Sequence, residues 1–308
     1  MGRRDGDGEL KVGRRRVGIG NPGKVLFRDV GVTKRDLAAY YRDVAAVMLP
    51  HIRGKPLALH RFPDGIDADG FFQKQLPASA PEWLGRVTVP RERGGEITMT
   101  LCEDAASLVY LADQAVVAIH PWLTTTEDLW LPDRMVFDLD PPGDDFVVVQ
   151  RAALELRDLL DDLGLPSFVM TTGSRGLHVV VPLRLVEDID DVRDFARQVA
   201  DLLAGRHPEQ LTTEVRKEKR AGRLFLDVLR NAYGQHAVAP YSVRALVGAP
   251  VAMPLRWNEV ADDQLTPRRW GVRDVEKRLA DDGAPWHGMR RRAHTLGPAR
   301  SRLAAVRD

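Results

Sequence analysis

Asp138 and Asp140 stand two residues apart in Met-Val-Phe-Asp-Leu-Asp-Pro-Pro (135–142), where Val136, Phe137 and Leu139 read as a buried strand. Alternate side chains of a strand share a face, so both carboxylates point the same way. Two like charges that close repel, and burying them is costly unless something positive lies between them. A divalent cation meets that need; an edge strand with one solvated face avoids it. Pro141 and Pro142 stop the ladder and leave the pair near the open end of the strand.

Asp227 is the single carboxylate in Arg-Leu-Phe-Leu-Asp-Val-Leu (223–229), and its neighbours Leu224, Phe225, Leu226, Val228 and Leu229 are apolar enough to be covered on both faces. It requires a partner: an arginine such as Arg230 or Arg244, or a metal shared with Asp138 and Asp140. Oxygen-only ligands favour Mg2+ or Mn2+ over zinc, and two such ions bridged by carboxylates serve in-line phosphoryl transfer. In Thr171-Thr172-Gly173-Ser174-Arg175-Gly176-Leu177-His178, two glycines permit a tight turn that aims backbone N–H groups at an anion. Ser174, Arg175 and His178 add side-chain donors suited to a triphosphate; a plain hairpin turn accounts for the same glycines. His120, before Pro121-Trp122, reads as a further donor or as a core histidine. Phe71-Phe72 reads as a base-stacking pair or as core.

Around these residues the sequence predicts interleaved strands and helices, hence an α/β fold. Thr33 and Asp36 form a capping-box pattern ahead of a helix that ends before Pro50. Residues 146–163 repeat apolar side chains at helical spacing and stop at Gly164. Residues 188–204 give another helix, 107–119 a helix running into an apolar segment, and 272–280 a last short helix. Strands are expected at 57–62, 167–170, 177–183, 223–229 and 238–243.

The 308 residues carry a net charge of +1, with 44% hydrophobic and 29% charged side chains. No apolar run approaches the ~18 residues of a membrane span, and the basic N-terminus lacks the apolar core of a secretory signal. Cys102 is the single cysteine, which excludes an intrachain disulfide or a thiolate zinc site and fits a reducing cytosol. Basic residues cluster in 1–35, around Lys217–Arg223 and at Arg290–Arg292, as expected where a phosphate backbone lies. Solvated tails produce the same pattern.

Seven runs, in one order, resemble the polymerase domain of bacterial ligase D, a branch of the archaeo-eukaryotic primase superfamily. They are Asn-Pro-Gly-Lys-Val-Leu-Phe (21–27), Phe-Phe-Gln-Lys-Gln-Leu (71–76), Ile-His-Pro-Trp (119–122), Phe-Asp-Leu-Asp-Pro (137–141), Gly-Ser-Arg-Gly-Leu-His (173–178), Lys-Arg-Ala-Gly-Arg-Leu-Phe-Leu-Asp (219–227) and Ala-Pro-Tyr-Ser-Val-Arg (239–244). The resemblance implies a primase-polymerase fold: an RRM-like catalytic sheet with flanking helices, packed against an N-terminal α/β module. It implies a flexible basic arm at 1–20, a module for DNA and 5′-phosphate at 21–130, a catalytic module at 131–288 and a basic tail at 289–308.

By the same resemblance, Asp138, Asp140 and Asp227 hold two Mn2+ or Mg2+ ions, with Asp227 helping to activate a primer 3′-hydroxyl. His120, Thr172, Ser174, Arg175, His178, Lys217, Arg220 and Arg244 bind the nucleoside triphosphate, ribo- or deoxyribo-. Asn21, Lys24 and Lys34 grip a 5′-phosphate, and Arg61, Phe71, Phe72 and Lys74 meet the template. The implied activity is template-dependent addition of nucleotides at gaps, overhangs or broken ends in end joining or gap filling. The implied partners are primer-template DNA and the end-binding and ligase proteins of the pathway, in a bacterial cytoplasm at the nucleoid and away from membranes. With no ligase or nuclease module among these residues, a stand-alone polymerase is expected.

Two departures from the family stand out: Arg175 where lysine is frequent, and Arg230 where a neutral amide is common. The alternatives are another metal-dependent phosphohydrolase or nucleotidyltransferase, and a non-catalytic nucleic-acid-binding module. An Asp-x-Asp phosphohydrolase wants Thr or Val two residues beyond the second Asp, where this chain has Pro142. A binding module has no use for three buried carboxylates.

Overall fold

The computed structural model describes residues 8–307. The chain forms two compact units: residues up to Trp122 with Val238–Ala252 and Trp270–Gly283, and Leu123–Ala237 with Met253–Arg269 and the segment from Ala284 onward. The chain therefore passes between units several times, whereas a single cut at 130/131 was expected.

In the first unit, β1 (Glu9–Val12) and β2 (Arg15–Gly18) pair antiparallel with Leu10 opposite Val17. Leu10, Val17 and Ile19 are buried, so from Glu9 onward the expected flexible arm is a packed hairpin. The arm's first seven residues lie outside the described ones. A second short pair, β3 (Val25–Phe27) and β4 (Val32–Thr33), leads into α1 (Lys34–Asp43). Its capping box is the expected one, with Thr33 and Asp36 satisfying each other's backbone N–H groups. The helix breaks at Val44, and Pro50 lies inside the following α2 (Ala45–Ile52) instead of beyond its end.

The unit's sheet joins β5 (Leu57–Arg61), β6 (Phe71–Gln73), β7 (Arg86–Pro90) and β8 (Glu96–Thr100) in the order β6-β5-β8-β7. After α3 (Ala105–Asp113), β9 (Val116–Pro121) also pairs with β5. Residues 238–243, expected as a strand, are irregular, because their polar groups bond elsewhere. Ser242 Oγ accepts from Ile119 N–H at 2.8 Å, and Tyr41 Oη accepts from Val243 N–H at 3.2 Å. The last expected helix runs Val275–Asp282.

The second unit begins with a small hairpin, β10 (Thr124–Thr125) and β11 (Asp128–Pro132). The chain then lays down β12 (Arg134–Asp140), α4 (Phe146–Asp162), β13 (Phe168–Thr171), β14 (Leu177–Pro182), α5 (Ile189–Arg206), β15 (Leu211–Thr212), β16 (Leu224–Asp227) and β17 (Pro254–Leu255). These strands form one sheet in the order β15-β16-β12-β14-β13-β17. All neighbours are antiparallel except β15 and β16. Helices α4 and α5 pack on β12, burying Val149, Ala153, Leu156 and Leu160 from one and Val192, Phe195 and Val199 from the other. Both are capped at the start by an aspartate, Asp145 and Asp188. Gly164, at φ 74°, ends α4 with Leu165 N–H returning to Leu160 C=O at 2.8 Å.

The expected basic tail is folded into this unit. Met289–Arg292 is a short 3-10 turn, and the helix Gly297–Arg307 buries Ala299 and Leu303. Among the described residues no helix is long and apolar enough to cross a membrane.

β16 is shorter than the predicted strand. After Asp227 the chain turns into a 3-10 segment, Leu229–Asn231, and Asn231 takes over the edge of β12. Its Oδ1 accepts from Val136 N–H at 2.8 Å, while Nδ2 donates to Val136 C=O at 2.7 Å and to Val228 C=O at 2.9 Å. These buried bonds keep the segment after Asp227 in fixed register with β12. Replacing Asn231 by leucine strands both backbone groups of Val136, while Val228 C=O keeps the backbone N–H of residue 231 at 3.1 Å, so Asn231→Leu is expected to cost about 2–3 kcal/mol of unfolding free energy in urea titrations. A loss indistinguishable from that of a surface substitution would contradict this role.

Candidate active site

The carboxylates of Asp138 and Asp227 are neighbours because of strand register. Asp138 lies opposite Asp227 on β16 and opposite His178 on β14. Asp140, one pleat further along β12, lies opposite Phe225. His178 Nε2 is 3.5 Å from Asp138 Oδ1, and Arg230 Nε is 3.5 Å from Asp138 Oδ2 and 3.9 Å from Asp227 Oδ2. Asp140 faces other cations: Arg175 at 3.0 Å and Arg220 at 3.6 Å.

The three expected metal ligands therefore share one end of the sheet without closing on one point. Among the described residues no group of three or more His, Cys, Asp or Glu side chains is gathered closely enough to hold a metal ion. Arg230, one of the arginines weighed as a partner for Asp227, lies 3.9 Å from it.

The pair titrates asymmetrically. Burial pushes the Asp138 carboxyl up, but His178 and Arg230 together outweigh it and leave it below the ordinary value. Burial, with the Asp138 charge adding to it, holds the Asp227 carboxyl above its ordinary value despite the N–H of Leu229, Arg230 and Arg220. The donor set fits a divalent cation: the facing ligands are hard oxygens, and the single charge of Arg230 serves two carboxylates. Its contacts are longer than the about 2.7–2.9 Å of a charge-assisted hydrogen bond.

Beside this pair lies the β13–β14 hairpin. Gly173, at φ 64°, takes the left-handed turn position. At Gly176 a Cβ would lie 2.0 Å from Leu139 C=O, so only glycine lets the turn rest on β12. Two of the turn's backbone amides, those of Ser174 and Gly176, are committed internally. Thr172 Oγ1 accepts from Ser174 N–H at 3.3 Å and from Gly176 N–H at 3.2 Å. The turn and the strand after it also carry the side-chain donors Ser174, Arg175 and His178.

Sequence reasoning missed Arg268, whose Nε donates to Ser174 C=O at 2.9 Å and braces the turn from 94 residues away. Nothing local in the sequence marks it.

Lys217 and Arg220 come from a basic loop around the 3-10 segment Lys217–Lys219. Arg220 Nε and one terminal nitrogen donate to the carbonyls of Glu214 and Val215 at 3.0 and 2.9 Å, and its guanidinium lies 3.8 Å from the Phe225 ring centre. That fixes its charge beside Asp140.

The remaining expected residues belong to the first unit. His120 is on β9, its ring 5.3 Å from that of Phe72. Arg244 lies near enough to His60 to depress the imidazole, an effect secondary to burial. Phe71 and Phe72 are 47% and 48% exposed, so they are not core. Phe72 stacks on His60 at 4.3 Å, and Arg61 lies 5.5 Å over Phe71 while bonding to Gln73 Oε1 at 2.6 Å. Lys74 is exposed beside them.

Asn21, Lys24 and Lys34 come together through backbone bonds. Asn21, at φ 52°, accepts from Lys24 N–H at 2.9 Å, and Lys24 C=O accepts from Lys34 N–H at 2.8 Å. Lys34 Nζ bonds to Gly20 C=O at 2.7 Å and to Asp113 at 2.9 Å, and Lys24 pairs with Asp64 at 2.8 Å.

The family model of the LigD primase-polymerase domain matches residues 33–286. The chain belongs to that family. It is 38% identical over 278 residues to the multifunctional non-homologous end joining DNA repair protein LigD of Mycobacterium tuberculosis, covering 87% of this chain and 36% of the relative. It is 32% identical over 265 residues to the bifunctional non-homologous end joining protein LigD of Bacillus subtilis, covering 85% of this chain and 42% of the relative. The chain thus spans well under half the length of these curated relatives. Among solved structures, the polymerase domain of M. tuberculosis ligase D in complex with DNA superposes with a TM-score of 0.82 at 36% identity, covering 91% of this chain and 99% of that one. The α/β class and the primase-polymerase fold read from the seven runs hold. LigD primase-polymerase domains are nucleotidyltransferases of end joining.

The raised Asp227 carboxyl gives a prediction with a definite sign. A carboxyl whose folded value lies above its unfolded one weakens the fold once ionised and is neutral in effect when protonated in both states. Without metal, Asp227→Asn should therefore unfold at the same temperature as the wild type below about pH 3.5 and at a progressively higher one as pH rises through the carboxylate range. Melting curves from pH 3 to 7 check this; a gap constant with pH, or one favouring the wild type, would refute it.

Proposed function

We propose that this chain is a template-dependent polymerase that adds nucleotides to a primer 3′-hydroxyl at gaps, overhangs or broken DNA ends, in end joining or gap filling. The observation that carries this reading is the in-register pair Asp138 and Asp227 beside the Ser174–Arg175–His178 turn, in a chain of the LigD primase-polymerase family. Asp138, Asp140 and Asp227 hold two Mn2+ or Mg2+ ions. When bound, these neutralise the phosphates and lower the barrier to in-line displacement.

The chain's own residues bind and orient. Ser174, Arg175, His178, Lys217 and Arg220 take the triphosphate, with Thr172 shaping the turn; His120 and Arg244 are assigned to the nucleotide on family likeness. The primer oxygen bonds to the α-phosphorus as the bond to pyrophosphate breaks. On family likeness, Asp227 helps to activate the primer hydroxyl.

Asn21, Lys24 and Lys34 grip a 5′-phosphate across the gap, and Arg61, Phe71, Phe72 and Lys74 meet the template. Half-exposed aromatic rings beside cations suit that contact. The substrates are ribo- or deoxyribonucleoside triphosphates, the partners DNA with the end-binding and ligase proteins of the pathway, and the setting the cytoplasm at the nucleoid.

Primer extension on a gapped duplex in Mn2+ or Mg2+ tests this directly. Asp138→Ala and Asp227→Ala should each lower incorporation by about a thousandfold or more while sparing DNA binding. Incorporation that survives both substitutions, or phosphate release without a template, would overturn it. Lys24→Ala and Lys34→Ala should each erase a preference for gaps bearing a 5′-phosphate, read by equilibrium binding to matched duplexes with and without that group. Undiminished discrimination in both would remove the phosphate assignment.

A further inference from the structure

The acidic pair is bridged by a side chain that the family likeness leaves without a role. Arg230 Nε lies 3.5 Å from Asp138 and 3.9 Å from Asp227, between the two carboxylates that face each other across β12 and β16. We propose that Arg230 is a tethered counter-ion that holds the place of a divalent cation between Asp138 and Asp227. Metal then enters this site only together with a nucleoside triphosphate. The proposal rests on the carboxylate-metal reading above.

The geometry separates a fixed backbone from a movable charge. Around Arg230 the backbone is pinned: Leu229 N–H donates to Asp227 Oδ1 at 2.7 Å, and Asn231 is clamped to β12 by its buried amide. The Arg230 side chain itself is 38% exposed and touches both acids loosely. Arg220, by contrast, is held by two backbone carbonyls. Arg230 can leave its position without disturbing the strand register.

A guanidinium and a divalent ion cannot share this position, because their charges repel across a few ångströms in a half-buried site. A triphosphate changes that balance in two ways. It offers the guanidinium a better, bidentate anionic partner, and it gives the metal further oxygen ligands. Metal and nucleotide then raise each other's affinity by the same factor, as linkage requires. A neutral amide at position 230 competes with nothing and uncouples the two.

The experiment is a Mn2+ titration of the whole chain, read from the free-ion electron paramagnetic resonance signal, with and without a non-hydrolysable nucleoside triphosphate analogue. Without the analogue, Arg230→Gln should bind Mn2+ about tenfold more tightly than the wild type, the scale of removing one partly exposed charge from two contacts. Arg230→Lys, which keeps the charge, should bind as weakly as the wild type. With the analogue the glutamine variant's advantage should largely vanish. Equal Mn2+ affinity of Arg230→Gln and wild type without nucleotide would overturn the proposal, as would an advantage that persists undiminished with it. Adding Asp227→Asn to Arg230→Gln should abolish the tight binding. If it does not, the carboxylate-metal reading itself fails, and the proposal with it.

Discussion

Two like charges set side by side across neighbouring strands are the constraint on which the second unit depends. Antiparallel pairing puts Asp138 opposite Asp227 among apolar neighbours, so each carboxylate is mostly withdrawn from water. Such an arrangement raises the energy of the fold unless cations are supplied. Arg230 from the following turn supplies one, His178 on the neighbouring strand lies against Asp138, and Asn231 keeps that turn on β12. The stabilisation is incomplete, which is why Asp227 ends with a raised proton affinity while Asp138 does not.

The surrounding hairpin and loop supply the opposite requirement. Glycine at 176 lets the β13–β14 turn rest against Leu139, which brings Arg175 within 3.0 Å of Asp140. Thr172 accepts from the Ser174 and Gly176 amides of the turn, and Arg268 braces it through the Ser174 carbonyl. Arg220, tied to two carbonyls, places a second fixed cation beside the acids. Acidic and basic groups are thus interleaved over a short distance, in a chain whose net charge is only +1. That pattern suits a magnesium- or manganese-bound polyphosphate better than it suits a bare nucleic-acid backbone.

Much of this was legible in the sequence because it is local. The Asp-x-Asp spacing, the prolines that end the strand, the glycines of the turn and the lone carboxylate in 223–229 each declare a constraint within a few residues. The long helices declared themselves by period, and Thr33 with Asp36 by capping. What stayed hidden depends on distance in the chain. Asn231 and Arg268 act on backbone 95 and 94 residues away. The hairpin from Glu9 was masked by glycine and arginine, because a two-stranded ribbon needs only a few inward residues, here Leu10 and Val17. Residues 238–243 look like a strand by composition, yet their polar groups are taken by Tyr41 and Ile119 of the same unit. Repeated passage of the chain between units leaves no linker for a boundary to be read from.

Under the proposed function, Asp138 and Asp227 face one another to share a divalent cation. The most direct measurement is the anomalous diffraction of a crystal grown with Mn2+ and a non-hydrolysable nucleotide. The account predicts a manganese peak at about 2.1 Å from an oxygen of each carboxylate, with the Arg230 guanidinium moved off the pair. Ordered nucleotide with no manganese between these two residues, and Arg230 still bridging them, would contradict it.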